Sequence, residues 1–499
     1  MAPSLEASVF DADADKKDRN DSDTRAGRHV ITDSPTHPTR SLQFLNSLKG
    51  KKESKAVPPR PAQVKLRIIV VGAGLGGLAC AIALARRGHE VVVLEQATEL
   101  GEVGAGIQIP SNSARLLQSW GLGPFLDPYV VEPNGMTFRR WEDGNPIGYT
   151  KLVPDFRQNF GAPYYVVHRA HFHMALYKRA LELGVDVKVA SRVEQYDLDA
   201  PSVELQSGEV FSADLIVAAD GIKSKARKLL LGGVDNVVKP TGFAAYRATV
   251  DVEKMKADPD TAWLLEKPSL NIWIGEDRHV MSYTIAAGKS FNMVLSHVDT
   301  SDFTTWKAAG AIDEMRREFV GWDPKLTKVI GMIDSTLKWP LLSASPLKTW
   351  IAPSNKVVIM GDAAHAMVPY MSQGAAMAVE DGAALAAVLS LIDTPEHVPS
   401  ALKVYEMEMM KRSGQMQQAS LLNGKLWHFP DGEEQRLRDE SMRPEVEGRS
   451  FSWSANQWSD PVTQWWAYGY DAEKEVEKSW AGLYGLGKST STAGNGLGI

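Results

Sequence analysis

Leu66-Arg67-Ile68-Ile69-Val70-Val71-Gly72-Ala73-Gly74-Leu75-Gly76-Gly77 opens on a short apolar, β-branched run and closes on a glycine cluster. The first half predicts a buried parallel strand. Helical periodicity follows from Leu75 to Arg87, with Gly88 at the expected helix end. Glu90-Val91-Val92-Val93-Leu94-Glu95 is a second strand, so the stretch is a βαβ unit. Gly72, Gly74 and Gly77 fit G-x-G-x-x-G, a weak signal by itself. Its position between strand and helix gives it meaning: the tight turn and close backbone approach suit a pyrophosphate at a helix N-terminus. Glu95, 18 residues after Gly77, stands where an acid accepts ribose hydroxyl bonds. A glycine-rich turn of any α/β protein is the structural alternative; dinucleotide binding is the better reading.

Further strands of the buried type are predicted at Leu183–Val189, Asp214–Asp220 and Lys356–Met360. Between about 240 and 345 the pattern shifts to alternating strands, such as Asn271–Ile274 and His279–Ile285. Long helical patterns run from Gln373 to Met416. The chain therefore leaves its nucleotide layer, builds a second sheet and returns. Residues 1–62 are charged or proline-rich and predict a disordered extension, with a less favoured partner-binding stretch at Leu42–Leu48. Seven Asp and two Glu before Arg60 argue against a mitochondrial transit peptide. The expected division is 63–240 for a first nucleotide-binding part with an inserted segment, 241–345 for the second sheet and 346–425 for the return. Residues 426–499 then form a cap carrying Trp427, Trp453, Trp458, Trp465, Trp466 and Trp480, docked on the chain's own body, with a frayed Gly/Ser/Thr-rich end.

At 499 residues the chain is too long for one core, since cores stop growing at about 250–300 residues. A composition 44% hydrophobic and 23% charged excludes collagen-like, wholly disordered and membrane-embedded classes. Net charge is −6, which leaves no electrostatic footprint for nucleic acid. No signal peptide and no apolar run of roughly 18 residues is visible. Ala375–Ile392 carries Glu380 and Asp381 and reads as a buried helix. The single cysteine, Cys80, permits neither an internal disulfide nor a cysteine metal site, and fits a reducing, cytoplasmic setting.

Two more motifs follow the glycine run in order. Ala219-Asp220-Gly221-Ile222-Lys223-Ser224-Lys225-Ala226-Arg227 matches D-G-x-x-S-x-x-R, and Met360-Gly361-Asp362-Ala363-Ala364-His365-Ala366-Met367-Val368-Pro369 continues to Gln373-Gly374 and Glu380-Asp381-Gly382. With these, residues 66–425 resemble the single-component FAD-dependent aromatic hydroxylases, in their salicylate hydroxylase-like branch. The resemblance implies a Rossmann-type α/β FAD-binding domain of the p-hydroxybenzoate hydroxylase kind, interleaved with a smaller mixed-sheet substrate domain and followed by a helical C-terminal region. It implies FAD as cofactor and NADPH or NADH as co-substrate. It also implies a C4a-hydroperoxide that passes oxygen to an electron-rich ring. The partners are a small aromatic substrate and O2, and the chain is a monomer or homodimer.

Carried onto this sequence, Asp220 of the second motif binds the cofactor, and Asp362 holds the ribityl chain unless it only caps the helix before Ala363. Pro369 and Gln373 line the turn beside the ring, and the N–H groups of Gly374 and Ala375 face the anionic edge of reduced flavin. Ala105 and Gly106, in Gly104-Ala105-Gly106-Ile107-Gln108-Ile109, form a second cofactor-contacting loop. Arg115 contacts the cofactor or is merely a surface base. Arg169, in His168-Arg169-Ala170-His171-Phe172-His173, approaches the phosphates or ribityl; Phe172 replaces the usual leucine. His171 and His173 lack ligand-spaced partners, so no metal site is read. Arg247 and Tyr283, with Tyr246 as substitute, are the catalytic candidates, each equally open to a buried structural role.

Within that reading, hydroxylation competes with decarboxylative hydroxylation, and with epoxidation or dearomatisation of a larger indole or polyketide intermediate. The tail Trp465–Glu473 looks like tails of fungal salicylate hydroxylase-like proteins. A flavin-dependent halogenase would need W-x-W-x-I-P, which is absent. A NAD-dependent dehydrogenase leaves the Gly361-Asp362 motif without a job, and a non-catalytic FAD-binding protein is the remaining class.

Overall fold

The computed structural model describes residues 58–101, 105–301 and 311–484. The expected disorder before residue 58, the Leu42–Leu48 stretch, Gly104 of the second loop and the Gly/Ser/Thr-rich end lie outside the described residues.

Arg67–Val71 is a strand whose last four side chains are buried, because neighbours flank both its edges and helices cover its faces. It pairs in parallel with Glu90–Leu94 on one side and Leu215–Ala218 on the other. Val357–Ile359 joins beyond Leu215–Ala218, and Asp186–Lys188 ends the opposite edge, giving a five-stranded parallel sheet. The strand expected over Leu183–Val189 is confined to Asp186–Lys188, since helix Arg169–Glu182 ends just before it and Gly184 turns the chain at φ +80°. The return strand, more than a hundred residues further along the chain, thus forms the edge of the nucleotide layer beside Leu215–Ala218.

Helix Leu75–Ala85 packs on helix Gly374–Leu389 through small residues. A Cβ on Gly382 would lie 2.7 Å from Cys80 Cα, so the two backbones touch there. The pattern expected over Gln373–Met416 is two helices, Gly374–Leu389 and Val398–Trp427; Pro395 and Pro399 stand at the break, where proline starts a helix but cannot continue one.

The second sheet has seven strands. Across it run Thr336–Ala344, Val238–Asp251, Ser290–Val298, Arg278–Ile285, Leu270–Gly275, Gly135–Arg140 and Pro146–Lys151. All neighbours are antiparallel except Leu270–Gly275 with Gly135–Arg140. The alternation expected at Asn271–Ile274 and His279–Ile285 is replaced by burial on both faces. One face, with Tyr246, Val280, Met293 and Leu295, packs with Met315, Phe319, Val329 and Ile330 of a helical layer. The other, with Ala245, Ile272, Met281 and Tyr283, packs on Tyr370, Met371, Met377, Trp427, Trp458 and Tyr468. That second face packs towards the segment following the return strand of the nucleotide layer, at whose carboxyl edge ligands bind in open α/β sheets.

Candidate active site

The glycine loop is built for a ligand backbone. Gly72 takes φ +103°, and a Cβ there would lie 2.5 Å from Ala219 O; one on Gly77 would lie 1.9 Å from Gly72 O. Those two glycines close the turn on itself. Gly74 differs, with nothing within 4 Å of its Cβ position, so approach from outside is open. Helix Leu75–Ala85 has no side-chain cap and no acid in its first turn, which leaves its N–H groups for an anion. Glu95 steadies the loop: Oε2 accepts from Ala73 N–H at 2.7 Å and Oε1 from Ala97 N–H at 2.8 Å. Each oxygen keeps a lone pair for a ribose hydroxyl. From the opposite side His173 Nε2 donates to Ala73 O at 2.6 Å, a tie that holds the loop rather than a metal.

The other two motifs meet each other. Asp220 Oδ2 accepts from Lys225 N–H at 2.9 Å, Ala226 N–H at 3.2 Å and the Tyr196 hydroxyl at 3.1 Å; Oδ1 is buried without a partner among the described residues. Ser224 caps the following helix through Arg227 N–H at 2.9 Å. Arg227, held by Asp235 at 2.6 Å, donates to Ala363 O at 3.0 Å and so fastens the segment that carries Asp362. Asp381, fully buried, accepts from Gly361 N–H at 2.9 Å and His365 Nε2 at 2.6 Å. Burial opposes the charged imidazole of His365, yet the Asp381 carboxylate beside it moves its pKa upward. Amid these fixed groups Asp362 is exposed, and it caps nothing: the helix Asp362–His365 has Gly361 at its N-cap and no side-chain cap bond. The capping alternative for Asp362 is therefore not what the structure shows.

Pro369, Gly374 and Ala375 are half-buried at the turn into helix Gly374–Leu389, which lacks a side-chain cap and a first-turn acid. Ala105 and Gly106 come beside the second sheet. A Cβ on Gly106 would lie 2.5 Å from Tyr283 Cε2, and Gly106 N–H donates to Asn292 Oδ1 at 2.6 Å. Asn292 Nδ2 is buried without a partner among the described residues. Tyr283 is 2% exposed; burial raises its pKa, opposed by the Arg247 charge and a Gln108 hydrogen bond. Tyr164 donates to Gln108 Oε1, and Trp458 Nε1 donates to the Tyr164 oxygen at 3.4 Å. The tail thus supplies one wall.

Two expectations change. Tyr246 lies on the opposite face from Arg247 and Tyr283, stacked on His297 at 4.7 Å with Lys338 over its ring, because neighbours in a strand alternate. It cannot substitute for Tyr283. Arg115 donates to Phe160 O at 2.9 Å and Tyr470 O at 2.5 Å, so its guanidinium holds the tail. Arg169 opens helix Arg169–Glu182, its backbone N–H on Ala105 O at 3.2 Å, which ties that helix to the second loop. Asn112, Asn292 and Arg412 are lone polar residues that carry no spacing signal in the sequence, and only burial reveals them.

The geometry fits FAD, with an open cradle at Gly74, uncapped helix starts and an exposed carboxylate at Asp362. Comparison with known proteins agrees. Residues 65–420 match the family model described as FAD binding domain. The FAD-dependent monooxygenase OpS4 of Beauveria bassiana is 36% identical over 409 residues, covering 82% of this chain and 95% of that protein. The 3-hydroxybenzoate 6-hydroxylase of Polaromonas naphthalenivorans is 31% identical over 396 residues, covering 79% and 95%. The crystal structure of FqzB superposes with a TM-score of 0.71 at 26% identity, covering 86% of this chain and 96% of that one. The three motifs, the two-sheet architecture and these relatives agree, and the chain belongs to the FAD-binding-domain family of flavin-dependent aromatic hydroxylases.

Proposed function

We propose that the protein is a monooxygenase that uses NAD(P)H and O2 to hydroxylate a phenolic ring, salicylate-like or a biosynthetic intermediate, in a cytoplasmic setting. The observation that carries the reading is the contact of Gly106 with Tyr283 and Asn292. It sets a cofactor loop directly on a polar, water-poor sheet face. Bound FAD would supply the activation of oxygen; Asp362, Glu95 and the starts of helices Leu75–Ala85 and Gly374–Leu389 would hold it. The protein's own part is to orient the ring and exclude water. Arg247 favours a substrate phenolate, which is more electron-rich than the phenol. Tyr283, its pKa raised by burial, stays a neutral hydrogen-bond partner and is not the base at neutral pH. The substrate ring lies against Tyr283 and Met281, with a polar substituent reaching Asn292.

The test is a visible spectrum of purified protein, then NADPH and NADH oxidation with salicylates, phenols and indoles. A flavin spectrum, oxidation stimulated by one ring class and recovery of oxygenated product support the reading. A colourless protein that FAD does not reconstitute overturns it, and a flavoprotein that no ring stimulates is a binding protein instead.

A further inference from the structure

At the start of helix Gly374–Leu389, polar side chains from three helical segments form one continuous chain that ends on backbone carbonyls of the tail. Gln373, at the N-cap of helix Gly374–Leu389 and 1% exposed, accepts from Asn112 Nδ2 at 2.9 Å. The same Asn112 amide donates to Glu380 Oε1 at 2.6 Å, so both of its N–H groups are used. Glu380, fully buried, is gripped by Arg412 through Nε at 3.0 Å and Nη2 at 3.2 Å. Arg412 then reaches the tail, donating to Trp466 O and Ala467 O at 2.9 Å each, with its guanidinium 4.2 Å from the Tyr470 ring centre.

Stability alone does not call for this arrangement. A buried ion pair is often no better than apolar residues of the same volume, and the surrounding helices already pack through alanine and glycine. What the chain does uniquely is connect the tail to the residue that opens the helix facing the cofactor. We propose that Arg412, Glu380, Asn112 and Gln373 are positioning residues that set the N-terminus of helix Gly374–Leu389 against the flavin, with the docked tail as their outer stop. This rests on the flavin reading above. N–H groups at a helix start favour the negative charge of a reduced cofactor over the oxidised form, so a small tilt changes the redox preference as well as the affinity.

The test is the midpoint potential of bound FAD in the full-length holoprotein, beside Asn112→Leu, Gln373→Leu and Arg412→Lys. Each variant should shift the potential about 30 mV negative, the equivalent of a tenfold weaker preference for reduced flavin in a two-electron couple. Arg412→Lys is decisive, because it keeps the charge and loses the fork that joins Glu380 to the tail. If Asn112→Leu fails to fold, the other two variants decide. Flavin-loaded variants with the parent's potential, even if less heat-stable, overturn the proposal and leave the network a packing feature. A parent that binds no FAD overturns the cofactor reading, and this inference with it.

Discussion

Asp362 and Gly77 sit in neighbouring parts of one candidate site, yet their substitutions should fail differently. Asp362 is exposed and makes no capping bond, so Asp362→Ala should change stability by less than about 0.5 kcal/mol. Its loss should appear as FAD missing from purified protein. Gly77→Ala would force a methyl to 1.9 Å from Gly72 O, overpacking that costs about 3 kcal/mol, so flavin and stability fall together. Thermal unfolding with and without added FAD separates the two; full flavin retention by Asp362→Ala would remove it from the site. At this scale the tight glycine turn was legible because motif and context coincide. Arg247 and Tyr246 show the limit: alternation says that they face opposite ways, but only the packed layers say which face turns away from the helical layer.

Elements carry a pH dependence of their own. Helix Glu433–Val446 docks on strand Pro146–Lys151 through Glu445, which accepts hydrogen bonds from the Ser454 hydroxyl, Asn456 Nδ2 at 2.9 Å and Tyr149 N–H at 2.7 Å. Burial raises its pKa to about 7 against those opposing bonds. Unfolded, the group titrates near its ordinary 4.5. The folded state therefore binds the extra proton between those values. The contribution is fully present below about pH 4.5 and is lost as pH rises to about 7, by about 3 kcal/mol at most. Chemical denaturation at pH 5 and pH 8 should show parent stability falling with pH more steeply than that of Glu445→Gln. Parallel pH profiles would place the ionised form in the folded state throughout. No spacing pattern flags Glu445, because its significance comes from a strand some 300 positions earlier, whereas the βαβ unit was readable from contiguous residues.

Over the whole molecule, the tail joins what the chain order separates. Ala472 and Val476 belong to the core of the nucleotide layer, while Ala467 and Tyr468 belong to the core beneath the second sheet. Arg115 is the bolt between them, since its guanidinium meets Phe160 O, Tyr470 O and, at 3.5 Å, Tyr468 O. A sequence shows a tryptophan-rich tail but not its anchor, because the acceptors are backbone carbonyls that any residue provides. Removing the guanidinium strands buried carbonyls at about 1–3 kcal/mol each, enough to open the tail locally without unfolding either sheet. Arg115→Ala should accordingly expose residues 461–484 to limited proteolysis about tenfold faster, with the 58–446 body intact and still flavin-loaded. Mass spectrometry of the fragments and the visible spectrum read both sides. A tail as resistant as the parent's, together with lost flavin, would return Arg115 to the cofactor and leave the tail's docking to Arg412, the Arg87–Glu473 pair at 3.0 Å and its aromatic contacts.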